Sequence, residues 1–220
     1  MTQPALPGFD RLLAVCRQAS LEMLLTPPAR HPLREGHRVA GHVLDPLLAA
    51  FYARSGSARF AEDVYLLRVN DEENQLEEKN QWWRESWQER LGLSVCVFGG
   101  EASLAYYFAT VPGLADAQGC QPVVEVSNYE LDGPVVMPLA STVDRFFDLY
   151  ARYLEALLSH EDYAERGYTA LGFPWQVPHL VARDEHLVRL IDEGRFDFPQ
   201  AGHEARAWAL RVIEAHRRIM

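Results

Sequence analysis

Apolar residues recur at helical spacing from Phe9 to Leu25. Phe9, Leu12, Leu13, Cys16, Ala19 and Met23 form one stripe, the pattern of an amphipathic helix. Pro27 and Pro28 stop it, because proline lacks the amide proton and clashes with the preceding turn. Residues 29–44 form a polar connector of weak periodicity that contains His31, His37 and His42. Asp45-Pro46 then opens a second helix, with Asp as N-cap and Pro in the first turn. Leu47, Leu48, Phe51 and Tyr52 supply its inner face, and Gly56 ends it.

The pattern changes at residues 63–69, where Asp-Val-Tyr-Leu-Leu-Arg-Val is rich in β-branched, aromatic and aliphatic side chains and predicts a strand. Residues 70–90 predict a polar loop and a helix through Arg90, closed by Gly92. Strands over about 93–98, 103–110 and 122–127 follow, with Gly99-Gly100 as a tight hairpin turn between the first two. A short apolar piece, Pro134–Leu139, precedes the best-defined helix. Ser141 caps that helix, and Asp144 three residues on comes close to a capping box. Val143, Phe146, Phe147, Tyr150, Leu154 and Leu157 form its buried stripe, while Asp148 and Arg152 pair one turn apart on the wet face. After His160 the chain reads as a helical tail. Asp184 caps a helix that Gly194 stops, and Ala205, Trp208, Ala209, Val212 and Ile213 mark a last helix. Strands that come in a run, with hairpin-length links, between helices predict an α+β fold with a mainly antiparallel sheet of about four to six strands and a C-terminal helical extension.

Length and charge narrow the function classes. A chain of 220 residues buries roughly 70% of the surface it exposes when unfolded, so its core needs neither disulfide nor metal. The net charge is −10, which disfavours binding to a phosphate backbone and steers a basic partner inward. Cys16, Cys96 and Cys120 are odd in number, far apart and in apolar surroundings. They read as buried thiols in a cytoplasmic protein. No basic segment followed by an apolar run opens the chain, and no stretch approaches the roughly 20 apolar residues of a membrane span.

The candidate chemistry is sparse. The connector histidines lack the one-turn spacing of a hydrolytic zinc pair, and Gly99-Gly100 lacks the partners of a nucleotide loop. No metal and no cofactor is expected. Cys96 lies in an apolar strand, where a thiol is inert packing. One stretch stands out. From Glu62 to Arg90, nine acidic and four basic residues give −5, half the total charge. Within it Asp71, Glu72, Glu73, Glu77 and Glu78 precede Trp82, Trp83 and Trp87. Such acids read as a solvated face, as a partner-binding surface, or as paired carboxylates for hydrolysis. The tryptophans cannot all point one way on a helix: 83 and 87 are neighbours, and burying them against the sheet is the plain reading. An exposed one beside carboxylates has the character of a binding hot spot.

Three stretches together resemble the SUKH superfamily, which includes yeast regulators of the Smi/Knr kind and many bacterial immunity proteins. They are Asp45-Pro-Leu-Leu-Ala-Ala-Phe-Tyr-Ala-Arg-Ser-Gly56, the pair 93–99 and 103–110, and Pro122-Val-Val-Glu-Val126 leading through 134–139 to the helix at 141–158. Ser55-Gly56-Ser57 stands where the family has an Asn-Gly-Gly-type turn, and the insertion at 70–90 is longer than the family's. The resemblance covers residues 30–158. It divides the chain into an N-terminal helix (1–29), a SUKH-like core (30–158) and a helical extension (159–220) packed on the core. It implies a bent sheet and no catalytic residues. The expected function is then protein binding, as an immunity protein that neutralises a cognate bacterial toxin with a basic surface. A regulatory scaffold of the Smi/Knr kind is the second reading, and a carboxylate-dependent hydrolase the third.

Overall fold

The computed structural model describes residues 4–61, 63–102, 104–127, 135–166, 169–197 and 202–220. In chain order the elements are α1 (Pro7–Gln18), β1 (Met23–Thr26), β2 (Arg38–Val39), β3 (His42–Val43), α2 (Pro46–Tyr52), β4 (Ser57–Phe60), β5 (Val64–Leu66), α3 (Gln75–Ser86), α4 (Gln88–Leu91), β6 (Cys96–Glu101), β7 (Tyr106–Thr110), β8 (Val123–Ser127), β9 (Val135–Ala140), α5 (Val143–Leu158), α6 (Glu161–Arg166), α7 (Pro178–Val181), α8 (Glu185–Asp192) and α9 (His203–Ile219). Seven strands form one sheet in the order β1-β4-β5-β6-β7-β8-β9, and β2 with β3 forms a separate ribbon. Every pairing is antiparallel. The fold is α+β.

The sheet has seven strands against the expected four to six, because β1 and β4 carry no strand pattern of their own and β9 reads only as a short apolar piece. Ser20, with φ 54°, ends the first helix early, and Met23–Thr26 pairs with Phe60–Ser57 as an edge strand rather than continuing the helix. Gly99 and Gly100 are not a hairpin turn either. They lie inside β6, opposite Phe108 and Tyr107. A Cβ on Gly99 would fall 2.3 Å from the Tyr65 carbonyl oxygen, so glycine here serves close backbone approach.

α5 and α1 pack on one face of the sheet. Phe146 meets Phe98 and Phe108, and Phe9 meets Phe51, Phe60 and Phe147 at edge or tilted geometry, the arrangement aromatic quadrupoles favour. α3 packs on the other face, where Trp83 lies against Tyr107 with ring centroids 5.3 Å apart. The neighbours Tyr107 and Phe108 thus serve opposite faces, as strand alternation requires. The tail closes the far end. Trp208 is fully buried and donates its indole N–H to the Pro138 carbonyl in β9 at 2.9 Å, while Phe173 packs on Phe108, Phe146, Tyr150 and Tyr153.

The caps follow the sequence in part. Asp45 accepts from the Leu47 and Leu48 amides, and Asp184 accepts from Leu187. The cap of α5 is Thr142, not Ser141: its hydroxyl accepts from the Arg145 amide. Asp144 instead reaches across to accept from Gly8 and Phe9 at the start of α1, placing a carboxylate at that positive helix end.

Candidate functional site

The acidic, tryptophan-bearing stretch folds as α3 and the short α4. Asn74 caps α3 by accepting from the Glu77 amide, and Gly92, with φ 61°, ends α4. Leu76, Asn80, Trp83 and Trp87 are buried at helical spacing and form the inner stripe. Trp83 and Trp87 stack with centroids 5.9 Å apart. Among the described residues neither buried indole N–H has a hydrogen-bond partner, so they contribute apolar area and no polar contact. Asn80 is different. Its amide nitrogen donates to the Val97 carbonyl at 2.7 Å and its oxygen accepts from the Val97 amide at 2.7 Å. A helix side chain thereby stands in for a neighbouring strand where β5 has ended.

The eight residues expected to bind a partner separate into three groups. Trp83 and Trp87 are in the core. Asp71, Glu73 and Glu77 are engaged within the fold. Asp71 pairs with Arg30 at 3.4 Å and accepts from its amide, and Glu73 pairs with Arg68 at 3.3 Å. Both Glu77 oxygens accept from the amide of Ala40, at 3.0 and 3.1 Å. Ala40 (φ 47°) and Gly41 (φ 91°) form the turn of the β2–β3 ribbon, and Arg84, two turns along α3, donates to the Ala40 carbonyl at 2.9 Å. The sequence gives no hint that Glu77 and Arg84 clamp a ribbon some 40 residues earlier in the chain.

Glu72, Glu78 and Trp82 face solvent. Among the described residues neither carboxylate has an ion pair. Glu78, Trp82 and Glu85 are all exposed and follow one another at i, i+4 and i+7, so they form a single outer stripe. Trp82 is 41% exposed. Its other side is held by Lys79, the chain's only lysine, whose ammonium lies 4.7 Å from the Trp82 ring centroid and 4.3 Å from that of Tyr107. Each cation–π contact of this kind is worth about 0.5–1 kcal/mol at an exposed site. The indole is therefore supported on one side, with carboxylates one turn away in either direction along the helix. Glu85 lies between Trp83 and Trp87, apart from the acidic run at 71–78, so charge clustering alone does not point to it.

One acid, Glu125, lies in the core, with the half-buried Glu101 near it and the exposed Asp63 near Glu101. Glu125 in β8 is 1% exposed and its Oε2 has no hydrogen-bond partner among the described residues. Burial and the nearby Glu101 push its carboxyl well above the usual range. Burial, then Asp63, raises Glu101 to about 7. Tyr150, buried with its hydroxyl unpaired, and Tyr153 lie in the same charge field, which also includes Asp63 and Glu101. The thiols are poor nucleophiles: burial lifts Cys96 to about 12 and Cys120, which is only partly buried, to about 11. Among the described residues no group of three His, Cys, Asp or Glu side chains could hold a metal, and no helix is long and apolar enough to cross a membrane.

The chain matches no family model, no curated protein and no solved structure.

Proposed function

We propose that the chain is a non-catalytic protein-binding module, an immunity protein that neutralises a cognate bacterial toxin, and that the outer stripe of α3 is its contact surface. The observation that carries this reading is the supported, half-exposed Trp82 between Glu78 and Glu85. An aromatic anchor immobilised before binding loses little conformational entropy on association. Carboxylates around it select a basic partner and speed encounter. Glu72, ahead of the helix, extends the negative surface. The resemblance to SUKH proteins supports the same class of function, with cytoplasmic toxin neutralisation as its bacterial form. A regulatory scaffold of the Smi/Knr kind would use the same stripe for several weaker partners.

The test is co-purification with the product of the neighbouring reading frame, followed by calorimetry. The immunity reading expects one tight complex, with nanomolar or lower Kd. Several micromolar partners and no toxin would favour the scaffold.

One observation favours hydrolysis as a second reading: burial raises both Glu101 and Glu125, and the charge of Glu101 adds to the rise at Glu125, as a neighbouring carboxylate does where one acid must hold its proton. Glu125 is buried at 1% exposure, so a substrate would have to enter the core. Turnover of a glycoside or ester substrate that is lost in Glu125→Gln would establish this reading and remove the first.

A further inference from the structure

Away from α3, the tail meets the outer flank of α5 and the end of β9, and the seam between them holds a cleft of about 100 Å3. Its floor is apolar, from Leu139, Leu149, Leu180 and Val181. Its rim carries three guanidiniums. Arg145 and Arg152 stand seven residues apart on α5, on one face and about 10.5 Å apart along the axis. Arg183 comes from the opposite wall, between α7 and α8. In a chain of net charge −10, this is a local reversal of sign.

Two carboxylates also line the cleft, and each of their four oxygens already has a donor. Asp148 accepts from Arg11 at 3.1 Å and Arg152 at 2.8 Å. Asp184 accepts from the Leu187 amide at 3.1 Å and the Ser141 amide at 2.7 Å. Among the described residues neither Arg145 nor Arg183 has an ion pair. The lining thus carries three guanidiniums and two carboxylates, a net positive charge, and the charge of Arg145 also reaches its neighbour Asp144.

We propose that this cleft binds a phosphate-class oxyanion, free or as the end group of a larger molecule, between Arg145 and Arg183 with Arg152 behind it. Guanidinium forks match the geometry of such oxyanions and hold them through paired, charge-assisted hydrogen bonds. Arg145 belongs to the core and Arg183 to the tail, so the bound anion ties the two together and stabilises the folded chain by linkage. This site is on a different surface from α3, and its failure would leave the toxin-binding reading untouched.

The full-length chain is titrated with inorganic phosphate and, separately, with glycerol 3-phosphate, at ionic strength held constant with sodium chloride. The expected result is a saturable one-to-one isotherm and a melting temperature that rises by several degrees. Arg145→Gln and Arg183→Gln each weaken binding at least tenfold, with unchanged circular dichroism in the absence of ligand. Arg17→Gln, exposed on α1, leaves it unchanged. Tighter binding of glycerol 3-phosphate supports an end group, and tighter binding of inorganic phosphate supports a free anion. Absence of binding by both beyond the chloride control, or equal affinity in the Arg145→Gln/Arg183→Gln double variant, would overturn the proposal.

Discussion

The amide of Gln121 donates to the Asp45 carboxylate at 2.7 Å across 76 positions of chain. Asp45 is fully buried and also accepts from Leu47 and Leu48. The Gln121 side chain in turn donates to the Val43 carbonyl and accepts from the Thr110 hydroxyl. The Asp45 carboxylate thus joins the start of α2 to the link between β7 and β8, and the Gln121 side chain joins that link to the β2–β3 ribbon. Asp45→Ala leaves the buried amides of Leu48 and Gln121 and the partly buried amide of Leu47 without their acceptor, and each buried orphan costs about 1–3 kcal/mol. The variant is expected to lose at least about 2 kcal/mol in urea unfolding, with an unchanged m-value.

Burial raises Asp45 to about 6, Glu101 to about 7 and Glu125 well above its ordinary value. A carboxyl whose folded pKa lies above its unfolded one binds its proton more tightly in the native state, so stability falls as pH rises between the two values. For Asp45 and Glu101 that window runs from about pH 4 to about pH 7. The protein is expected to be more stable to urea at pH 5 than at pH 8. Glu125→Gln, which removes one of these buried ionisations, should flatten the slope and raise stability at pH 8. A wild-type profile that rises toward pH 8 would contradict this account.

Asn80→Ala is expected to cost about 2–4 kcal/mol, because it orphans both the amide and the carbonyl of Val97 in the buried sheet. Hydrogen exchange at the Val97 amide should accelerate more than at Ala109, its partner across the β6–β7 ladder. Equal acceleration at both would mean that Asn80 acts on global stability alone.

Ala40 occupies a left-handed conformation, with φ 47°, which costs a residue bearing a Cβ about 1–2 kcal/mol. Ala40→Gly should therefore stabilise the chain by up to about 1 kcal/mol in thermal or urea unfolding. Glu77→Gln should destabilise it, since a neutral amide accepts the Ala40 amide more weakly than the carboxylate does.

The parts of the fold legible in the sequence are those governed by local chemistry. Asp45-Pro46 and Asp184 announced their helices, the apolar stripe of α5 gave its buried face, and Asp148 pairs with Arg152 as their spacing implied. The parts that were not legible depend on distant partners. Met23–Thr26 continues a helical stripe in sequence and becomes a strand because Ser57–Phe60 lies beside it. Asp144 looked like half of a local capping box and serves α1. At the candidate site, spacing separated Trp83 and Trp87 from Trp82, but charge alone could not distinguish Glu77, which holds Ala40, from Glu78, which faces solvent. Glu125 sits in Val-Val-Glu-Val-Ser, where alternation permits either face outward, but every residue of β8 is buried, because distant elements cover both faces of the sheet there.

The central claim is that the outer stripe of α3 binds a basic protein partner. It is tested most directly by calorimetric affinity of the cognate toxin domain for wild type and for the Glu78→Arg/Trp82→Ala variant, measured at two salt concentrations. Both substitutions are at solvent-facing positions, so the melting temperature should stay within a few degrees. The account predicts a loss of at least a hundredfold in affinity, about 2.7 kcal/mol, and a weaker salt dependence in the variant. Equal affinity of a folded variant and the wild type would contradict it.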